Sequence, residues 1–170
     1  MRLIKLGIIS VIVLFVVASF ISILLPSKVI VSRAVDVNVP ADTVWQQVNS
    51  LTAWKNWLEG MNDKSVKLYT ADSGILGNTM VKLTVNPEKK QISSTWQSNN
   101  DGTIQNSSLQ VIGIAKQPKC IVQWQFIQTT SWLPWQRFSS LMNDKIMGVM
   151  LETNLNRLKA LVEKTPMPES

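Results

Sequence analysis

From Ser65 to Thr129 the chain reads as one strand after another, and no other feature constrains the fold as strongly. Alternating or β-branched segments occupy residues 66–69, 79–85, 91–97, 103–112 and 120–129. The punctuation between them is short: Asp72-Ser73-Gly74, Asn86-Pro87, Asn99-Asn100-Asp101-Gly102 and Gln117-Pro118. Asp101-Gly102 is the strongest hairpin signal in the chain. Short turns join antiparallel neighbours, so a meander of about five strands is expected. In the last strand Cys120, Val122, Trp124 and Phe126 share one face, while Gln123, Gln125 and Gln128 largely face away. One side of the sheet is apolar and needs cover.

The last helix can supply it. Residues 139–164 contain no Pro and a single Gly148. Met147, Leu151, Leu155, Leu158 and Val162 form a stripe at helical spacing, with Lys145, Glu152, Asn156, Lys159 and Glu163 opposite. Met142, Ile146, Val149 and Met150 add a second apolar flank, so most of the first half's circumference is expected to be buried. Leu133-Pro134-Trp135 turns the chain into this helix. Ahead of the meander, residues 28–39 alternate: Val29, Val31, Val35, Val37 and Val39 share a face that Arg33 interrupts. Pro40 breaks the strand and Asp42 opens a helix with Val44, Trp45, Val48 and Leu51 on its inner face. A short helical turn over 54–58 follows, holding Trp54 and Trp57. The class is α+β: strand, two short helices, antiparallel meander, long helix across the sheet.

Residues 6–25 carry no charge and at helical rise reach about 30 Å, the thickness of a bilayer's hydrocarbon core. Pro26 ends the run. A cleaved signal peptide has a shorter apolar region, and Ala18-Ser19, the nearest small pair, lies inside the run. A buried core helix would show a polar stripe, for which only Ser10, Ser19 and Ser22 are available. The expected organisation is therefore a transmembrane anchor over 1–27, a folded domain over 28–164 and a polar tail over 165–170. Arg2 and Lys5 precede the span and Lys28 and Arg33 follow it. The charge bias slightly favours a cytoplasmic N-terminus. That describes a single-pass protein of a bacterial inner membrane, its domain in the periplasm, with a cytoplasmic-facing domain as the other orientation.

The residues for most familiar chemistry are missing. The chain has no histidine, which removes Ser-His-Asp and Cys-His arrangements, and no Ser is followed three residues later by Lys. One cysteine cannot build a zinc site or an intramolecular disulfide. Gly74 and Gly77 read as turn residues rather than a phosphate cradle. Lys89-Lys90 is the only adjacent pair of cations, so the net charge of +6 forms no nucleic-acid footprint. Glu59 and Asp63 are the one carboxylate pair near enough in sequence to consider for acid–base work, with two solvated loop residues as the plainer reading. Cys120 lies in an apolar alternation and reads as an inert buried thiol. No catalytic residue, metal ligand or cofactor is assigned.

Seven tryptophans are more informative. Trp45 reads as core. The others form either a plain aromatic core or the wall of a cavity for an apolar ligand, shared with flexible methionines. Trp132 and Trp135 also suit a membrane interface. The cavity reading nominates Trp57, Trp96, Trp124, Phe126, Trp135, Met142, Ile146 and Met150 as ligand-binding residues.

Pro26-Ser27-Lys28-Val29, then Val37-Asn38-Val39-Pro40-Ala41-Asp42-Thr43-Val44-Trp45 and Trp54-Lys55-Asn56-Trp57, resemble the opening of polyketide cyclase/dehydrase-like proteins of the START-like superfamily (SRPBCC). Pro134-Trp135-Gln136-Arg137-Phe138, Lys145-Ile146-Met147-Gly148 and Leu155-Asn156-Arg157-Leu158-Lys159 are similar to that family's closing helix. The likeness covers roughly residues 26–163. It implies a helix-grip fold, a curved antiparallel sheet around the C-terminal helix with a cavity between. It also implies binding of lipids, sterols, polyketides or other hydrophobic molecules, with catalysis in some members and no universal catalytic set.

Three functions follow as expectations. The first is a membrane-anchored, non-catalytic domain that holds a hydrophobic small molecule or lipid. The second is an interaction or assembly module with a solid core, and the third a cyclase- or dehydratase-like enzyme.

Overall fold

A computed structural model describes residues 2–24, 28–100, 102–113, 118–129 and 134–165, without the side chains of residues 2, 3, 23 and 134–144. Helix α1 (Arg2–Leu24) leads into strand β1 (Lys28–Val37) and the short helices α2 (Ala41–Val48) and α3 (Leu51–Trp54). Strands β2 (Lys67–Leu68), β3 (Ser73–Leu76), β4 (Thr79–Asn86), β5 (Gln91–Ser98), β6 (Ile104–Gly113) and β7 (Cys120–Thr129) follow, then helix α4 (Pro134–Glu163). The strands make one antiparallel sheet in the order β1-β7-β6-β5-β4-β3-β2. The expected meander is present with one strand more than the turn signals suggested. Ser73-Gly74, read above as a turn, lies in β3. A side chain at Gly74 would come 2.8 Å from Leu68 Cδ2 and 2.9 Å from the Lys67 carbonyl oxygen. Gly74 therefore lets β2 close on β3, while Gly77, at φ +60°, makes the turn into β4.

The break between the first two helices comes earlier than the apolar spacing implied. Ser50 accepts a bond from the Ala53 N–H at 3.3 Å and caps α3, so Leu51 opens this helix instead of closing α2. Helix α4 begins at Pro134, ahead of residue 139, and proline suits the first turn because its missing N–H would have no intrahelical partner.

The core lies between the inner sheet face and the helices. Cys120, Val122, Trp124 and Phe126 of β7 are all buried, as are Val44 and Val48 of α2. Leu151, Leu155, Leu158 and Val162 seal it from α4, each such side chain contributing about 1.5–3 kcal/mol by leaving water. Helix α4 packs chiefly on β1, then touches β7 and α2. Its C-terminal end is tied down where Glu163 Oε1 accepts from the Asn38 backbone N–H at 2.6 Å. Arg33, the interruption in the valine face of β1, lays its guanidinium against the side-chain-free surface of Gly148.

The second apolar flank of α4 departs from expectation. Ile146 is 70% and Val149 65% exposed. A helix resting on one sheet buries one stripe, and these positions are rotated away from it. Met142 of the same flank lies outside the described side chains.

Helix α1 is long and apolar enough to cross a membrane over Ile4–Ser22. Its apolar side chains are exposed along the helix, and among the described residues only Ala18, Ser19 and Ser22 are covered. It packs against α4.

Candidate functional site: an aromatic floor beneath helix α4

Trp54 of α3, Trp57 in the turn after it, Trp96 of β5, and Trp124 and Phe126 of β7 form one continuous aromatic cluster. Trp54 has its ring centroid 5.6 Å from Trp57, 6.2 Å from Trp96 and 5.8 Å from Trp124. Phe126 is 5.6 Å from both Trp96 and Trp124. These are tilted, stacked and edge contacts, the arrangements that ring quadrupoles favour.

Each indole N–H of the four tryptophans already has an acceptor within the fold. Trp54 donates to the Val48 carbonyl at 2.7 Å and Trp57 to the Gln47 carbonyl at 2.8 Å, pinning both to the end of α2. Trp96 donates to Ser94 Oγ at 2.9 Å and Trp124 to Ser107 Oγ at 3.2 Å. The two serine hydroxyls bond each other at 2.5 Å and are buried. The cluster thus offers a bound molecule faces and edges rather than free donors. Sequence reading missed Ser94 and Ser107, although the signal was there. Both occupy inward positions of alternating strands: Ser94 comes two residues after inward Ile92, and Ser107 two residues before inward Leu109.

Two adjoining clefts lie over this floor and share Trp96 and Met150. One, of about 460 Å³, runs from Leu58, Glu59 and Asp63 past Leu76 to Trp124 and Asn154. The other, of about 400 Å³, is bounded by Phe126 and Met147 and rimmed by Thr79, Ser98, Thr103, Gln105 and Gln128. Each volume suits a small organic molecule. Between loop and helix stands buried Asn154, whose Oδ1 accepts from the Glu59 N–H at 2.7 Å while its Nδ2 donates to the Met150 carbonyl at 2.9 Å. An asparagine inside the apolar stripe of α4 was the sequence's sign of such a tie.

The nominated residues divide into groups. Trp96, Trp124, Phe126 and Met150 meet at the clefts. Trp57 is buried in the cluster and borders a separate, more polar cleft with Lys55, Asn62 and Arg157. Ile146 points outward and lines neither aromatic-floored cleft. The side chains of Trp135 and Met142, like all of Trp132, lie outside the described part.

Glu59 and Asp63 do border the first cleft. Glu59 faces Arg157 Nη2 at 3.5 Å. Bonds from Ser65, led by its backbone N–H at 2.9 Å, hold Asp63 below the usual carboxylate range. Such a group stays ionised near neutrality and is a poor proton donor. Burial pushes the Cys120 thiol up, away from thiolate chemistry. Among the described residues no group of His, Cys, Asp and Glu could hold a metal ion.

No family model matches the sequence, and comparison with curated proteins finds no match. Solved structures do match. A START superfamily protein from Mycobacterium smegmatis aligns with a TM-score of 0.56 at 19% identity, covering 79% of this chain and 97% of its own. A protein from Nitrosospira multiformis gives 0.61 at 16% identity, over 78% of this chain and 94% of its own. Norcoclaurine synthase from Thalictrum flavum, in complex with dopamine and hydroxybenzaldehyde, gives 0.62 at 12% identity, over 83% and 90%. At such identities the likeness is one of fold, and the fold is START-like: an antiparallel sheet gripping a C-terminal helix, preceded by an apolar N-terminal helix.

Proposed function

We propose that this protein is a membrane-anchored binding domain that holds a hydrophobic small molecule or lipid between its sheet and α4, without transforming it. The observation that carries the reading is the pair of clefts sharing Trp96 and Met150, with Trp124, Phe126 and Met147 as further walls. Aromatic faces give a rigid apolar surface, and methionines adapt to irregular shapes. The apolar α1 would tether the domain and keep the clefts at high effective concentration beside a lipid source. Native mass spectrometry of the full chain, released from gentle detergent, tests this. A reproducible adduct that Trp96→Ala removes is the expected result. A clean apo mass, with no uptake from added lipid mixtures, would instead favour an interaction module working through its surface.

A catalytic reading has one observation in its favour, that Glu59 and Asp63 border the apolar cleft. It requires that Glu59→Gln abolish turnover of a cleft-bound molecule while the fold persists. The Arg157 contact and the ionised state of Asp63 make these carboxylates better suited to shaping the rim.

A further inference from the structure

The strand register fixes which end of the domain lies next to α1. Lys28, the first residue of β1, pairs with Thr129 of β7, and Val29 pairs with Gln128. Following the ladder, Asn106 pairs with Ile127, Gln97 with Ile104, and Thr79 with Ser98. The cleft rimmed by Thr79, Ser98, Thr103, Gln105 and Gln128 therefore opens at the end of the sheet where α1 enters. Glu88, in the β4–β5 turn, lies at the opposite end, beyond the Asn86–Gln91 pair.

The exposed flank of α4 belongs to the same end. Met147 and Met150 line that cleft, whereas Glu163 is bonded to Asn38 at the far one. Ile146, Val149 and Met150 stand at i, i+3 and i+4, so they share one helical face, and they are 70%, 65% and 38% exposed. Lys145 is exposed beside them. Helix α1 packs on α4, and its covered residues, Ala18, Ser19 and Ser22, sit in its C-terminal turns. At 1.5 Å per residue the span Ile4–Ser22 measures about 28 Å, which puts Ser22 at the edge of the hydrocarbon layer. An apolar flank beside that edge, with Lys145 and Lys28 exposed nearby, has the composition of a surface that lies in the headgroup boundary.

We infer that Ile146, Val149 and Met150 seat in the interfacial layer of the bilayer that α1 crosses, so that the Met150 rim of the cleft opens toward acyl chains. The inference rests on the anchoring part of the proposed function and not on ligand binding. A hydrophobic occupant would then pass between bilayer and cleft without crossing bulk water. Occupation of the flank by a second copy is the competing arrangement.

Site-directed spin labelling of the full chain tests this in phosphatidylethanolamine–phosphatidylglycerol vesicles, with Cys120→Ser as background. Single labels go to V13C in the span, I146C and V149C on the flank, and E88C at the far end. The expected result is greater accessibility to oxygen than to a water-soluble nickel chelate at positions 13, 146 and 149, and the reverse at position 88. Flank labels as open to nickel as position 88, with position 13 still protected, would overturn docking and leave the anchor standing. Nickel access at position 13 would overturn the anchor and docking together. Spin–spin broadening at 146 and 149 that vanishes on dilution with unlabelled chain would assign the flank to a second copy. None of these readings involves the ligand, so a failure of ligand binding stays separate.

Discussion

Two adjoining stretches of α4, residues 145–150 and 151–163, are both rich in apolar side chains and differ in what surrounds them. From Leu151 onward, Leu151, Leu155 and Leu158 are at most 1% exposed, and even Asn154 is buried with both ends of its amide bonded. One turn earlier Ile146 and Val149 stand in the open. The difference teaches that apolar periodicity specifies a face without specifying what covers it. The sheet covers the second half. Over residues 145–150 it covers one stripe, and the flank of Ile146 and Val149 is left uncovered.

Substitution separates the halves most sharply in stability. Leu155→Ala empties a close-packed site and should cost about 2–5 kcal/mol, while Val149→Ala should change stability by less than about 0.5 kcal/mol. Denaturant unfolding of the full chain in detergent micelles, followed by tryptophan fluorescence, measures both. A large loss at Val149 would break the comparison, since it would mean that protein covers the flank.

Asn154, at the boundary, should come next. Asn154→Ala takes the acceptor from the Glu59 N–H and empties the place of a buried, doubly bonded amide, at a cost of about 1–3 kcal/mol. Because that bond ties the 58–63 loop to the helix, amide exchange at Glu59 should accelerate more than exchange in β6. Equal acceleration everywhere would show global destabilisation rather than a local tie.

Gly148→Ala tests the seam where Arg33 crosses the helix. The added methyl would collide with the guanidinium, the movable end of a flexible side chain, while the helix gains about 1 kcal/mol of propensity from losing glycine. The two oppose, so the net change should fall within about 1 kcal/mol of zero. A loss well beyond that would mean that Arg33 is held in place and that the half-helix contact is rigid.

Much of this arrangement was legible in the sequence. The β7 alternation marked its strand bounds residue for residue, because a one-sided apolar face tolerates no slip. The α4 stripe named its four buried anchors for a similar reason. Strand β3 was hidden because its glycine serves a close approach of two backbones, a tertiary fact that wears the composition of a turn. The site was half legible. Trp96, Trp124, Phe126 and Met150 could be nominated from apolar spacing, but serines on inward positions resemble strand filler until the indoles that need acceptors are placed beside them. The exposure of Ile146 was not legible at all, since periodicity is blind to where a sheet ends.

Cys120 supplies the smallest effect and needs no engineered label. It is fully buried at the far end of the sheet, where the C-terminal half of α4 closes the core. Burial raises its thiol, Lys90 acts against that rise and Glu163 with it. The folded state therefore favours the neutral thiol, so stability from this group holds below the unfolded thiol's ordinary value of about 8.5 and declines as pH rises through it. Alkylation by iodoacetamide at about pH 8, near that ordinary value, should be far slower in the native chain than in denaturant, and Leu155→Ala should accelerate it. Val149→Ala should leave the rate unchanged, because an exposed side chain adds little to the packing that shields Cys120. If both substitutions accelerate it alike, the helix responds as one unit and the division between its halves is one of exposure only.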